Sequence, residues 1–314
     1  MKYSHFILIS VILAISFYVP AFSALGGGSG TKADPYKIYT KEHLEELADS
    51  LNSIFYGRLS DGNADNFSTN KYFILMNDIT DSVRTVISID NKWRGSYYMD
   101  YNSYFQGHFD GQGHTITLAI KDANNHGTGL FGTTYNASIN NLAVTGYVIV
   151  NNEMDTSTIC HYVGGIVGFA RKENNITNCL NSAEIIGVGF TGGIVGHAIG
   201  FLDIEKCINI GAIKNLESIS ICNLGVATNA AGGIIGLYVT YPEYTMNNCI
   251  NSGFIEGNDC VGGIVGSNLY AKISNCISTG VVKGNTKVGC IVGENQGGTI
   301  INCHYDKQMC GGGE

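Results

Sequence analysis

The chain of 314 residues has room for one or two domains, and an apolar content of 44% is enough for a sizeable core. Charged residues make up only 14%, and the formal net charge is -8. Because phosphate-binding surfaces need clustered Lys and Arg, this composition argues against nucleic acid as a partner. The 42 glycines and 3 prolines favour an all-β architecture with many tight corners.

Residues 1–23 have the features of a signal peptide. Lys2 precedes the apolar run 6–19, and the small residues Ala21 and Ser23 suit cleavage after Ser23. The run is short for a membrane span, so an uncleaved anchor is the weaker alternative. We therefore expect an exported protein, secreted or at the cell surface, with the periplasm as the alternative. After cleavage it would not span a membrane.

Residues 24–71 are predicted to form a lead-in and an N-terminal capping helix. The glycine-rich stretch 26–30 suits a flexible lead-in. Apolar residues at helical spacing predict one amphipathic helix over residues 41–52, with Thr40 placed to cap it. His43 and Glu46 stand three residues apart on that helix, but no zinc-binding motif is complete. A solvated helix face explains them better than a metal site.

Residues 72–314 are predicted to form a repeat array. The word "GGIVG" and its variants close at glycines spaced 28, 40, 30 and 27 residues apart, after an earlier copy, "TGLFG". A second word, typified by "NCINSG", recurs in step with the first. Two words that keep one period indicate an array. The closing glycines are Gly132, Gly168, Gly196, Gly236, Gly266 and Gly293.

A period near 27 residues suits one coil of a parallel β-helix. Each unit contains about three short β segments separated by Gly or Asn corners. Leucine-rich repeats would need a different leucine spacing, and propeller blades would need longer units. Successive coils would stack about 4.8 Å apart, so equivalent residues would form columns.

Two such columns are predicted to face inward. One contains five cysteines, and the other, two residues further on, contains three asparagines; a buried amide must be paired, which stacked amides can achieve. We favour free buried thiols, with bridges between coils as the alternative. No metal site or cofactor is predicted. The columns are Cys179, Cys207, Cys249, Cys276 and Cys303, and Asn181, Asn209 and Asn251.

Five further cysteines lie outside that column and could form disulfides, although the sequence does not give their pairing. They are Cys160, Cys222, Cys260, Cys290 and Cys310.

The repeated words resemble the GLUG motif of bacterial secreted and surface proteins, which also occurs in accessory regions of some IgA-cleaving metallopeptidases. "TGLFG", "VGGIVG" and "AGGIIG" carry the likeness, and the lead-in "FQGHFDGQGHTI" is similar as well. The resemblance implies a right-handed parallel β-helix with adhesion or carbohydrate-associated roles. Cys290 replaces a motif glycine, and no peptidase zinc motif is present. Peptidase activity is therefore not expected.

Two clusters of tyrosines are the candidate ligand-binding residues. Exposed tyrosines combine an apolar face with a hydroxyl, which suits a glycan or a cell-surface protein as partner. The alternative is that they cover corners of the coil. The two clusters are Tyr97, Tyr98, Tyr101 and Tyr104, and Tyr238, Tyr241 and Tyr244.

The function predicted from the sequence is a binding or adhesion module. A carbohydrate-active enzyme, either a polysaccharide lyase or a glycoside hydrolase, is the alternative, although no catalytic constellation is evident. His108 and His114 flank Asp110, but an Asp-Gly turn explains that stretch better. A structural stalk or a fragment of a larger adhesin is the third alternative. The end "DKQMCGGGE" shows no evident cap, so end-to-end self-association is expected.

Overall fold

The protein is a stack of coils. A computed structural model describes residues 25–52, 66–89, 103–121, 125–151, 160–216, 229–241 and 243–310. Within these ranges the chain forms one α-helix and parallel strands arranged in four sheets. Each coil passes through sheets 1, 2, 3 and 4 in that order, and the next coil pairs with it strand by strand. The predicted parallel β-helix is therefore confirmed.

The strands of the described residues are as follows. Sheet 1 contains Tyr36–Ile38, Tyr72–Leu75, His108–Asp110, Ser138–Asn140, Asn174–Thr177, Leu202–Glu205, Thr245–Asn247, Lys272–Ser274 and Thr299–Ile301. Sheet 2 contains Ile79–Val83, Thr115–Lys121, Ala143–Ile149, Leu180–Asn181, Glu184–Val188, Ile208–Asn209, Ile213–Leu216, Ile250–Asn251, Ile255–Glu256, Ile277–Ser278, Val282–Lys283 and His304–Tyr305. Sheet 3 contains Gly127–Thr128, Tyr162–Gly164, Phe190–Gly192, Ala230–Gly232, Asp259–Gly262 and Thr286–Gly289. Sheet 4 contains Phe131–Tyr135, Val167–Arg171, Val195–Gly200, Ile235–Thr240, Val265–Leu269 and Val292–Gln296.

Branched apolar residues from every sheet fill the inside of the stack. The residue before the closing glycine of each word pairs with its equivalent in the next coil, as the columns predict. Burying one such side chain contributes about 1.5–3 kcal/mol, so the column is a large part of the core. The column is Phe131, Val167, Val195, Ile235, Val265 and Val292.

The glycines of the word stand where the backbone leaves no room for a side chain. A Cβ at Gly192 would lie 2.1 Å from Val195 O, inside its own turn. A Cβ at Gly165 would lie 2.5 Å from Gly193 O in the next coil. The first glycine permits the tight turn and the second permits the stacking of coils. The repeated sequence therefore has a structural role.

The helix Lys41–Asn52 closes the N-terminal end of the core, over the range that the sequence predicts. Its inward side chains are buried in the same apolar cluster as residues of sheet 2. At its start, Tyr39 N donates a hydrogen bond to His43 Nδ1 at 3.1 Å, which gives this histidine a structural role. The buried residues are Leu44, Leu47, Ala48 and Leu51.

The lead-in is part of the β-helix, which corrects the predicted boundary at residue 72. Strand Tyr36–Ile38 pairs in parallel with Tyr72–Leu75 and is the edge strand of sheet 1. The glycine-rich stretch is held in place: Gly27 O accepts from Lys37 N at 2.9 Å, and Gly30 O accepts from Tyr72 N at 3.0 Å. Its glycines adopt positive φ to make these bonds, so the glycines provide turns rather than flexibility.

A disulfide bond fastens the terminal segment to the last described coil. Cys290 and Cys310 form a disulfide, and Val282 N donates to Met309 O at 2.9 Å, so the terminal segment lies across the end of sheet 2. The sequence shows no evident cap here, so this covering segment is a correction to the prediction. On sheet 1 of the same coil, Ile300 is 42% exposed although its equivalents in earlier coils are buried.

In the described part of the chain, no helix has the length and apolarity of a membrane span.

Candidate ligand-binding groove

The outer face of sheet 1 carries two columns of short polar side chains. Ser138, Asn175 and Asp203 are equivalent residues of consecutive coils. Two positions further along the strand, Asn140, Thr177 and Glu205 form the second column. Side chains in the second column bind one another: Thr177 Oγ1 donates to Asn140 Oδ1. This face therefore offers donors and acceptors at the spacing of the coils, about 4.8 Å.

An asparagine corner sets the direction in which these residues point. The residue before each column cysteine has positive φ; it is an asparagine in most coils, as at Asn178 (54°) and Asn275 (54°), and it is Lys206 (55°) before Cys207. Asn tolerates this left-handed conformation better than most residues. The corner interrupts the alternation of the strand, so the cysteine points inward and the residues two and four positions before it point outward.

An aromatic cluster forms one wall beside these columns. Phe201 lies between two tyrosines, with ring centroids 5.4 Å from Tyr241 and 4.9 Å from Tyr244. Tyr244 N donates to Tyr241 O at 3.0 Å in the turn that leads into strand Thr245–Asn247. Tyr241 is 56% exposed. The structure thus brings together two of the predicted tyrosines and a phenylalanine that was not predicted.

Two carboxylates lie in the same groove. Asn174 pairs with Leu202, so the preceding residues, Glu173 and Phe201, stand at equivalent positions of consecutive coils. Asp203 Oδ1 accepts from Thr245 N at 3.1 Å, which fixes its position. Desolvation, together with repulsion from nearby carboxylates that include Glu173 and Asp203, raises the pKa of Tyr244. Its hydroxyl is therefore a donor at neutral pH.

These features line one open groove of about 640 Å³ whose residues come from five consecutive coils, within the size range of ligand sites. The groove combines an apolar wall with amides, hydroxyls and carboxylates on its floor. Its lining residues are His108, Asn136, Ala137, Ser138, Asn140, Glu173, Asn174, Asn175, Thr177, Phe201, Asp203 and Tyr244.

The remaining predicted tyrosines do not reach this groove. Tyr104 is 1% exposed and Tyr238 is 0% exposed, so the expectation that they offer an exposed face to a ligand is wrong. Tyr238 belongs to an inward column in which Ala170 and Ala198 leave it room, and its hydroxyl donates to Leu202 O at 2.7 Å. The other predicted tyrosines, at positions 97, 98 and 101, lie outside the described residues.

The asparagine column lies inside the coil and forms a hydrogen-bonded ladder. Asn181 Nδ2 donates to Asn209 Oδ1 at 2.7 Å, and Asn209 Nδ2 donates to Asn251 Oδ1 at 2.8 Å. Each amide also donates to a carbonyl of its own turn, as Asn209 does to Gly211 O at 3.0 Å. All three side chains are fully buried. Their function is structural.

The cysteine column contains free thiols, of which only the last, Cys303, is partly exposed. Each sulfur lies near backbone carbonyls, as Cys179 Sγ does at 3.3 Å from Thr177 O. Burial raises the pKa of Cys249, which keeps that thiol protonated. Among the other cysteines, Cys160 is disulfide-bonded and Cys260 is free and buried. The remaining cysteine, at position 222, lies outside the described residues.

The predicted histidine and aspartate candidates make structural contacts, and His108 also lines the groove. Asp110 Oδ1 accepts from Gln112 N at 2.9 Å, as an Asp-Gly turn requires. His114 Nδ1 lies 3.2 Å from Asp78 Oδ1, and His108 stacks on Tyr72 with ring centroids 4.3 Å apart. Among the described residues, no group of three or more His, Cys, Asp or Glu is arranged to hold a metal ion.

Most of the groove was missed from the sequence, although a signal was present. Counting back two and four residues from each column cysteine gives the two outer columns of sheet 1. The predicted columns run forward from the cysteines, and the sequence alone does not reveal the reversal of direction at the asparagine corner. Phe201 lies six residues before Cys207 and could have been found in the same way.

The comparisons agree with the fold. Residues 257–283 match the family of the GLUG motif, as predicted. Among solved structures, the chain is similar to a Bacteroides ovatus protein described as a putative immunoglobulin A1 protease. The TM-score is 0.53, with 20% identity over 90% of this chain and 87% of that one. At this identity the likeness shows the fold alone. No curated protein matches the chain significantly.

Proposed function

We propose that this chain is an exported binding protein whose sheet 1 groove recognises a glycan. The observation that carries the proposal is the placement of the Phe201, Tyr241 and Tyr244 rings beside two outward columns of polar side chains. Export rests on the signal peptide expected at residues 1–23, and a secreted or cell-surface location follows from it.

The chemistry of the groove suits a sugar chain. Pyranose rings have apolar faces that pack on aromatic rings, and their hydroxyls need both donors and acceptors around the edge. The aromatic cluster provides the first requirement. Asn140, Asn175 and Asp203 provide amide and carboxylate groups for the second. Because the columns repeat once per coil, a chain lying along the stack would meet similar groups at each step, on a scale comparable with one sugar unit.

A carbohydrate-active enzyme remains the second candidate, and one observation favours it. Glu173 and Asp203 are two carboxylates in one groove, which is the minimum that acid–base cleavage of a glycosidic bond requires. Binding without release of shortened sugars would exclude cleavage of the glycans tested. Release would make the enzyme the better account of the same site.

A glycan array probed with the mature chain, residues 24–314, tests the proposal. We expect saturable binding that weakens at least about tenfold in Phe201→Ala and Tyr244→Ala, because each removes an aromatic face from the groove. Tyr147→Ala is the matched control, since Tyr147 is 36% exposed on the outer face of sheet 2. Silence on every glycan would favour a cell-surface protein partner or a structural stalk. Equal loss in the control variant would show that the groove is not the site.

A further inference from the structure

The charges of the groove are of one sign. Its floor and wall include two carboxylates, Glu173 and Asp203, and no lysine or arginine stands among its described lining residues. His108 also lines the groove. Desolvation and the nearby Lys32 lower the pKa of His108, so its imidazole is neutral near pH 7. A molecule bound in the groove therefore meets the negative charge of these two carboxylates.

Several lysines stand near the groove, Lys32 among them, but none is one of its described lining residues. Lys172 lies over the Tyr135 ring at 5.3 Å, and Lys206 Nζ lies 3.0 Å from Glu205 Oε1. Lys272 belongs to the outer column two coils beyond Asp203. Lys172 and Lys206 are thus directed to partners of their own, and Lys272 is displaced along the stack.

We propose that the groove selects neutral and amino sugars and excludes sugars that carry carboxylates or sulfates; this inference rests on the proposed function. A carboxylate accepts hydrogen bonds from sugar hydroxyls, and it accepts stronger ones from an ammonium group. An anionic sugar held over Glu173 and Asp203 meets like charges without a compensating cation, which is unfavourable at contact distance. Repulsion of this kind discriminates between ligands as effectively as attraction does.

Three tetrasaccharides of related backbone provide the test, measured by titration calorimetry beside the array. They are the oligomer of N-acetylglucosamine, the oligomer of glucosamine and the hyaluronan tetrasaccharide, which alternates glucuronic acid with N-acetylglucosamine. Matched neutral and sialylated or sulfated pairs on the array extend the comparison to other backbones. We expect neutral and amino members to bind at least about tenfold more tightly than acidic members, with a difference that shrinks as salt is added.

The double variant Glu173→Gln/Asp203→Asn removes the proposed cause. We expect it to lose most of the discrimination against acidic sugars and the preference for amino sugars. Glu184→Gln/Glu256→Gln changes the net charge equally on the outer face of sheet 2 and should keep the discrimination. Acidic members that bind as tightly as neutral ones would overturn this inference and leave glycan binding standing. If no sugar of the three classes binds, both this inference and the proposed glycan binding are overturned. If the double variant of the groove discriminates as strongly as the unchanged protein, the discrimination is due to other residues.

Discussion

At the scale of single residues, the buried asparagine ladder shows how a polar column is accommodated inside a β-helix. Asn209 accepts from Asn181 and donates to Asn251, so each amide satisfies its neighbour. A buried amide without partners is unfavourable by several kcal/mol, whereas a paired one is close to neutral. The second glycine of the repeated word completes the arrangement, since a Cβ at Gly193 would lie 2.5 Å from Asn209 Oδ1.

We therefore expect Asn209→Ala to lower the free energy of unfolding by about 2–3 kcal/mol, because two buried partners lose a hydrogen bond at once. Urea denaturation measures the change. Asn285→Ala is the matched control: its amide donates to Asn258 Oδ1 at an exposed corner, and we expect a loss within about 0.5 kcal/mol. Equal losses in the two variants would contradict a special role for the ladder.

A second prediction at this scale concerns His197. Its ring is 3% exposed, is packed among Tyr162, Phe169 and Phe190, and has no hydrogen-bond partner on either nitrogen. Burial, with a smaller contribution from Arg171, lowers the pKa of His197 to about 3. A histidine whose pKa falls on folding supports stability above its unfolded pKa, about 6.5, and that support declines as the pH drops towards 3.

Between about pH 7 and about pH 4.5 we expect this one residue to account for about 2–3 kcal/mol of lost stability, since the unfolded chain takes up a proton that the folded chain does not. His197→Leu should remove that part of the loss. Leucine is suitable because Leu237 occupies the equivalent position in the next coil. Denaturant titrations of both proteins at the two pH values make the comparison. A parallel decline would show that His197 does not titrate on unfolding in this range.

At the scale of elements, the repeated word determines how closely coils can approach. The contrast between two glycines makes this testable. A Cβ at Gly193 would lie 2.2 Å from the backbone atom Gly233 O, whereas the nearest atom to a Cβ at Gly257 is a side-chain atom, Val261 Cγ2, at 3.1 Å. The backbone of the next coil cannot move aside without breaking the strand pairing between the two coils.

We expect Gly193→Ala to destabilise the protein by about 3 kcal/mol or more, or to prevent folding, while Gly257→Ala changes stability by less than about 1 kcal/mol. Soluble yield and thermal melting of the two variants measure the difference, and insoluble expression of Gly193→Ala alone agrees with the prediction. Identical melting of the two variants would mean that coil spacing is not set at this glycine.

The departure of Cys290 from the motif has a structural reason. In earlier coils the second glycine of the word faces a carbonyl group of the following coil. A Cβ placed at Gly263, for example, would lie 2.1 Å from Cys290 O. At Cys290 the described chain has no following coil in sheet 3, so a side chain fits. It forms the disulfide with Cys310 that fastens the terminal segment.

Elements with a clear period could be predicted from the sequence, and short ones could not. The helix Lys41–Asn52 has four apolar residues at helical spacing and was predicted over its full range. Strand Tyr36–Ile38 has three residues, too few for any period, and it is identified only by its pairing with Tyr72–Leu75. The prediction that the clustered tyrosines share one exposed site was wrong for another reason. Residues close in sequence can face opposite sides of a sheet: Tyr238 points into the core, whereas Tyr241 is exposed to solvent.

At the scale of the whole molecule, the two ends of the stack differ. The helix covers the core at one end, whereas Ile300 and Ile301 are about two-fifths exposed at the other. The disulfide segment lies across sheet 2, so the edge strand Thr299–Ile301 of sheet 1 has no further strand beside it among the described residues. End-to-end association through this edge remains a proposal.

The side of the stack carries the proposed function. A rigid solenoid holds the rings of Phe201 and Tyr244 and the carboxylates of Glu173 and Asp203 on consecutive coils, so a ligand meets groups whose spacing is fixed by the backbone. Such preorganisation reduces the entropy lost on binding. The two outer columns of polar side chains on sheet 1 continue this binding surface along the axis of the stack.

A crystal structure of the mature chain with the tightest-binding oligosaccharide from the array would test the central claim most directly. The account predicts a sugar ring packed on the face formed by Phe201, Tyr241 and Tyr244, with hydroxyls bonded to Asp203 or the neighbouring amides. A sugar bound at any other surface, with this groove empty, would contradict it.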